Sequence, residues 1–362
     1  MKTTCKIKNV LYIFLIQTFS AILLISGFQC SDNPSSSEPD PNALPTITPE
    51  EAGYSSQKLA DAAQYGQQIG YAALMAAYDG KVFFSRGHVS RNYWSHSIRK
   101  PLLNSIFGIY VEDGTIDLNN TIADLGIDDI PPSLTDEEKQ ATVRNLLQSR
   151  SGIYHPAAAE APEMKEIRPE RGSHPPGTFF YYNNWDFNVL GTIFEQETGT
   201  GIFEEFQRLI AGPIGMQDFD PDNCFYQYET ELSMHPAYPF RISARDMLRY
   251  GILYQKDGNW DGRQVIPQTW IEESTTEYSI TDSTNGIGYG YLWVVIPKDS
   301  PIAQNAGNHK IFYHTGVGVH MLMVVPDLKL VLVMRMDTDG EWTNPGEATN
   351  ELVVMILTAT VD

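Results

Sequence analysis

The residues best suited to chemistry begin at Ser97-Ile98-Arg99-Lys100. Residues three apart on a helix share a face, so the Lys100 amine can reach the Ser97 hydroxyl. A free serine is a weak nucleophile and needs a neighbouring base to take its proton. A lysine serves once burial or nearby charge lowers its pKa. The spacing alone is not distinctive, because Ser55-Ser56-Gln57-Lys58 repeats it. Ser55, however, is well placed as the N-cap of a surface helix running to Ile69. Two more patterns follow Ser97. Tyr181-Tyr182-Asn183-Asn184 holds a Tyr-x-Asn in either of two registers, and His314-Thr315-Gly316 opens a strand-like run. A tyrosine beside a lysine can shuttle protons. An asparagine amide can hold a carbonyl or orient a lysine. A Thr-Gly pair lets substrate approach the backbone, where one N–H can form half of an oxyanion hole.

These residues need elements to position them. Pro101 lacks the N–H required inside a helix and is tolerated only in the first turn. The helix carrying Lys100 is therefore expected to start at Ser97 or Ile98, which puts the Ser97 N–H at its positive end. It should run to Glu112 and stop at Gly114. Before it, Tyr71–Tyr78 and Lys81–Ser85 are strand-like and joined by Asp79-Gly80, a hairpin signal. After it come loops and short helices, with a capping box over Thr135–Glu138. Pro156–Pro176 reads as polar, irregular surface. Helices are expected at Phe187–Glu197, Ile202–Ile210 and, after Ser243, at Met247–Tyr254. Tyr289–Ile296, Val317–Val325 and Lys329–Met336 read as strands, and 344–361 as a terminal helix. A hairpin, a helical middle and late antiparallel strands suit an α+β domain whose sheet is completed by the C-terminal third.

Ser-x-x-Lys, then Tyr-x-Asn, then His-Thr-Gly, in this order and at these separations, resemble the serine β-lactamase and penicillin-recognising superfamily. The nearest branch holds class C β-lactamases, D-alanyl-D-alanine carboxypeptidases, related esterases and 6-aminohexanoate-dimer hydrolases. The likeness extends to Val111–Leu118 (VEDGTIDL), Val143–Ile153 (VRNLLQSRSGI), Gly177–Gly191, Ser243–Tyr254 and Gly258–Trp270, and covers roughly Thr48 to the C-terminus. It implies a β-lactamase/transpeptidase-like fold, an antiparallel sheet flanked by helices, with a mostly helical region at about 97–255 inserted between the two parts of the sheet. It implies Ser97 as the acylated nucleophile and Lys100 as its base or the group that tunes the base. Tyr182 would activate Ser97 or protonate the leaving group, and Asn184 would contact substrate. His314 stands where lysine is common. The N–H groups of Ser97 and Val317, next to Thr315-Gly316, would form the oxyanion hole. Tyr181-x-Asn183 is the alternative register, but the count from Gly177-Thr178 to Leu190-Gly191 favours Tyr182 and Asn184. The implied activity is an exported serine hydrolase acting on a small ester or amide. β-Lactam or D-Ala-D-Ala cleavage is the runner-up, and a non-hydrolytic peptidoglycan sensor the alternative from another class. No cofactor is implied.

The remaining sequence sets the compartment and excludes some partners. The 362 residues hold 45 Asp and Glu against 25 Lys and Arg, which argues against nucleic acid and leaves a small molecule as substrate. Residues 1–29 carry Lys2, Lys6 and Lys8 and then an uncharged, largely apolar run, the pattern of an export signal. Their removal takes the net charge from −20 to −23. Cys30 stands where a lipoprotein cysteine would, although Gln29 replaces the usual small residue. An uncleaved anchor or ordinary secretion are the rival readings. Residues 30–47 form a Ser/Pro-rich tether, leaving 48–362 as the hydrolase domain. Cys5, Cys30 and Cys224 give no intrachain disulfide framework, and Cys224 reads as a buried apolar residue. His309, His314 and His320 cluster without a metal-ligand motif. Arg335, Asp337 and Asp339 read as an ion pair at a strand end. Trp185, Tyr289 and Trp293 read as core.

Overall fold

A computed structural model describes residues 42–305 and 307–361. The expected export signal, Cys30 and the expected tether up to residue 41 lie outside the described residues. The chain enters through α1 (Ser56–Gln68), capped by Ser55, whose hydroxyl accepts from Lys58 N–H. The hairpin β1 (Tyr71–Tyr78) and β2 (Lys81–Gly87) follows. Asp79 and Gly80 have φ of 48° and 77°, the left-handed pair that a two-residue hairpin turn requires. The chain then leaves the sheet through β3 (Tyr93–Trp94), α2 (Arg99–Glu112), α3 (Val143–Leu147), α4 (Pro162–Ile167), α5 (Asn184–Thr198) and α6 (Ile202–Phe206). It passes β4 (Arg241–Ile242), α7 (Ala244–Gln255), the small hairpin β5 (Asn259–Trp260) and β6 (Arg263–Gln264), and α8 (Gln268–Ser274). Then β7 (Ser279–Asp282), β8 (Ile287–Tyr289), β9 (Val294–Ile296), α9 (Pro301–Asn305), β10 (Ile311–Gly316), β11 (His320–Val325) and β12 (Leu330–Met336) complete the sheet before α10 (Ala348–Leu357). The strand order is β2-β1-β12-β11-β10-β9-β8-β7, antiparallel throughout.

The sheet is buried on both faces, and strand alternation divides its residues between two cores. Ala73, Met75 and Ala77 of β1, with Val331 and Val333 of β12, face the larger core under the helical region. Leu74, Ala76, Leu332 and Met334 face the smaller core under α1 and α10. Helix α7 lies flat on the larger-core face of β1, β11 and β12. Only a glycine at 251 permits this approach, since a Cβ there would collide with Val331. Helix α2 is enclosed, with every residue from Arg99 to Gly108 buried.

Several expectations need correcting. The α-helix starts at Arg99, because His96–Ile98 form a 3-10 turn that presents Ser97 before the helix proper. His314-Thr315-Gly316 closes β10 rather than opening a strand, and the next strand starts at His320. The expected strand Tyr289–Ile296 is split in two, since Leu292 sits at φ 61° between β8 and β9. The helix expected over 202–210 passes into a π-turn after Phe206. The terminal helix begins only at Ala348. Pro156–Pro176 is not all surface: Ala157 and Ala158 are buried. Cys224 is half-buried rather than buried. The capping box over Thr135–Glu138 is formed reciprocally, at 2.7 and 3.2 Å.

Candidate active site

Ser97 is delivered by a path that begins at β3. Tyr93 and Trp94 pair with Ile242 and Arg241, and Ser95 N–H donates to Phe240 O at 2.8 Å. Arg335 of β12 fastens this short ladder to the main sheet. Its buried guanidinium donates to the carbonyls of Tyr93, Trp94 and Ile242 at 2.9, 3.2 and 3.3 Å. The expected pairing of Arg335 with Asp337 or Asp339 is absent. Those acids pair instead with Arg91 and Arg241, because Arg335 points inward along the alternating strand. His96 then turns the chain at φ 47°, a region costly for a residue with a Cβ. Its ring stacks on Trp94, centroids 4.8 Å apart, and its Nε2 lies 2.8 Å from Thr338 Oγ1. These contacts hold the turn immediately before Ser97.

The side chains named from the sequence converge. Lys100 Nζ lies 2.9 Å from Ser97 Oγ and 2.5 Å from Tyr182 OH. Tyr182 OH lies 3.5 Å from His314 Nε2. His314 Nδ1 is 2.7 Å from Thr315 O. A carbonyl only accepts, so Nδ1 carries the proton and Nε2 faces Tyr182 as an acceptor. Tyr182 is set by the segment before α5: Ser149 Oγ accepts from Asn183 N–H at 3.0 Å, and Asn183 caps the helix at Trp185 N–H. The same path turns Tyr181 away, its hydroxyl donating to Met164 O. The geometry therefore selects Tyr182-x-Asn184 over Tyr181-x-Asn183.

Burial controls the electrostatics. Desolvation, then the Arg99 charge, brings the Lys100 amine well below its usual value, while its Nζ lies 4.4 and 4.5 Å from the ring centres of Tyr182 and Phe187. Burial pushes the Tyr182 phenol up, partly offset by the Ser97 hydrogen bond and by Arg99. Burial, then Lys100, holds His314 down at about 3, so its ring is neutral at physiological pH. An amine whose hold on its proton is weakened, a phenol whose hold is strengthened and an acceptor imidazole thus stand in a row beginning at the serine.

The end of β10 lies against the Ser97 turn. A Cβ on Gly316 would sit 3.4 Å from Ser97 N and 2.7 Å from Ser95 O. Among the described residues, the N–H groups of Ser97 and Val317 have no acceptor within the chain. A cavity of about 70 Å³ adjoins Ser97 and is lined by Arg99, Lys100, Ala159, Asn184, Gln227 and Val317, among others. Asn184 donates to Ala159 O at 2.5 Å and leaves Oδ1 unpartnered. Larger clefts near Glu112 and Arg144, and near Tyr71 and Arg86, hold none of these groups. Trp185, Tyr289 and Trp293 are core residues. Sequence reasoning missed His96, Arg99, Ala159 and Gln227. Of these only Arg99 carried a signal, as a charge inside the Ser-x-x-Lys of an otherwise apolar helix.

A family model described as Beta-lactamase matches residues 57–354. No curated protein matches the sequence significantly. Among solved structures, a proposed 6-aminohexanoate-dimer hydrolase from Bacillus anthracis superposes with a TM-score of 0.63 at 19% identity, covering 87% of each chain. A D-stereospecific amidohydrolase from Streptomyces sp. gives 0.62 at 16%, covering 85% of this chain and 100% of the other. A class C β-lactamase in complex with cefoxitin gives 0.61 at 15%, covering 85% and 99%. At these identities the likeness is one of fold.

Proposed function

This chain belongs to the beta-lactamase family, and from that membership we propose that it is a serine hydrolase that cleaves a small ester or amide through a Ser97 acyl-enzyme. The observation that carries the reading is the buried Lys100 amine held 2.9 Å from Ser97 Oγ and 2.5 Å from Tyr182 OH. Lys100 takes the Ser97 proton as Oγ bonds to the substrate carbonyl carbon. The Ser97 and Val317 N–H groups receive the oxyanion. The proton passes through Tyr182 to the leaving oxygen or nitrogen as its bond to carbon breaks. Water then attacks the acyl carbon and gives one proton to Lys100, which passes it to Ser97 Oγ as the bond from Oγ to the acyl carbon breaks, releasing the acid. Tyr182 serves as relay rather than initial base because burial raises its phenol and lowers the Lys100 amine. His314 accepts from Tyr182 and fixes its hydroxyl.

The test is a panel of 4-nitrophenyl esters, a chromogenic cephalosporin and a D-Ala-D-Ala peptide, run on wild type and Ser97→Ala. Turnover that survives in Ser97→Ala would sink the assignment. Covalent labelling of Ser97 without turnover would favour a sensor. Preference for the cephalosporin or the peptide would move the substrate to those classes. Export and lipidation at Cys30 belong to the same proposal, and mass spectrometry of the mature N-terminus, seeking an acylated Cys30, tests them.

A further inference from the structure

Among the described residues, one charged group in the cavity has no counter-charge. Arg99 is 3% exposed. Its Nη2 donates to Asn188 Oδ1 at 2.6 Å and its guanidinium lies 4.2 Å from the Tyr238 ring centre. Its Nη1 has no acceptor, and among the described residues no carboxylate pairs with it. The acids that hold the neighbouring loop are engaged elsewhere. Glu160 pairs with Arg168, and Glu229 accepts from Ala159 N–H and Gln227 Nε2. A buried, uncompensated guanidinium is costly to maintain unless a ligand completes it. Arg99 lines the cavity beside Ser97.

We propose that this enzyme takes substrates whose acyl group ends in a carboxylate, and that Arg99 is the residue that selects them. This rests on the hydrolase reading. The side follows from the geometry: Tyr182, which hands the proton to the leaving group, and His314 do not line this cavity, so it receives the acyl portion. The cavity size restricts that portion to a short chain, such as a monoacyl dicarboxylate. On the opposite side the neutral His314 offers no cation, so among the described residues the guanidinium placed to meet a substrate anion is that of Arg99, on the acyl side. A planar guanidinium also matches a carboxylate geometrically.

The experiment compares 4-nitrophenyl hydrogen succinate with its methyl ester, which masks the charge, in wild type, Arg99→Gln and Arg99→Lys. Wild type is expected to favour the anionic ester by about ten-fold or more in kcat/KM. The ratio should fall to about one in Arg99→Gln and stay above it in Arg99→Lys. Because the readout is a ratio, a general effect of Arg99 on Lys100 cancels. A wild-type ratio of one or less overturns the inference, whatever the variants' folding. So does a ratio unchanged by Arg99→Gln in a variant that melts cooperatively. A third ester with the carboxylate on the phenol should show no Arg99-dependent gain, and such a gain would put the anion on the wrong side. Failure of the hydrolase reading is seen separately, as no ester cleavage and no fluorophosphonate label at Ser97. Anion recognition is then read by calorimetry of monomethyl succinate with Ser97→Ala. Binding at least about ten-fold weaker on adding Arg99→Gln supports the inference, and equal binding overturns it.

Discussion

Gly316→Ala tests the geometry around Ser97 most directly, because it adds one methyl group and removes no chemical function. The new Cβ would lie 2.7 Å from Ser95 O and 3.1 Å from His96 Cβ. Ordinary contacts need about 0.5 Å or more of extra separation. Neither obstacle can rotate away. The Ser95 carbonyl is tied to Ile98 N–H at 3.1 Å, and His96 is held by Trp94 and Thr338. The end of β10 must therefore retreat from the Ser97 turn and take the adjacent Val317 N–H with it. Losing one oxyanion donor costs about 10²–10³ in kcat, or ~2.7–4 kcal/mol of barrier. The crowding itself should cost about 1–3 kcal/mol of stability, so the fold survives while the rate falls. The assay is the steady-state rate on a 4-nitrophenyl ester, paired with a thermal melt by circular dichroism. A cooperatively folded variant whose kcat stays within about three-fold of wild type would refute the oxyanion assignment at Val317.

Three further outcomes follow from burial. Lys100→Met should lower kcat/KM by about 10²–10⁴. Between its lowered folded pKa and 10.5 the unfolded chain binds a proton at Lys100 that the folded chain does not, so wild-type stability should rise with pH across that window, and pH-dependent melts of Lys100→Met should lack this component. His96 is pulled by burial to about 4 from 6.5. The unfolded chain therefore gains a proton first on acidification, costing up to about 3 kcal/mol between those values. His96→Asn, which tolerates the left-handed turn, should lose less melting temperature between pH 6.5 and 4. Asp246 accepts the N–H groups of Gln217, Asp218 and Phe219 at 2.7, 2.7 and 2.9 Å. Asp246→Ala removes the carboxylate that accepts these three N–H groups and should cost about 3 kcal/mol or more in denaturant unfolding.

Much of the frame is local and was legible in the residues. The Asp79-Gly80 turn, the Ser55 cap, the Thr135–Glu138 capping box and the enclosure of Pro101 in a first turn each depend on neighbours a few residues apart. The order of Ser97, Lys100, Tyr182 and His314 was visible because chemistry restricts residue type. Helix and strand limits were less legible where tertiary contacts overrode propensity. The break at Leu292, whose N–H donates to Leu147 O, and the end of β10 at Gly316 against the Ser97 turn both involve residues distant in the chain.

The sequence by itself therefore determined which side chains compete for the catalytic roles and the α+β order of elements. Those follow from residue chemistry and periodicity. Only the tertiary structure decided between Tyr181 and Tyr182, since two adjacent residues point to opposite sides and just one side holds Lys100. It alone buried Lys100 and His314, because desolvation is a property of the whole enclosure rather than of a motif. It alone put Arg335 on the carbonyls of the β3–β4 ladder, and it alone left Arg99 inside the cavity with no carboxylate partner among the described residues, because both depend on residues far apart in the chain.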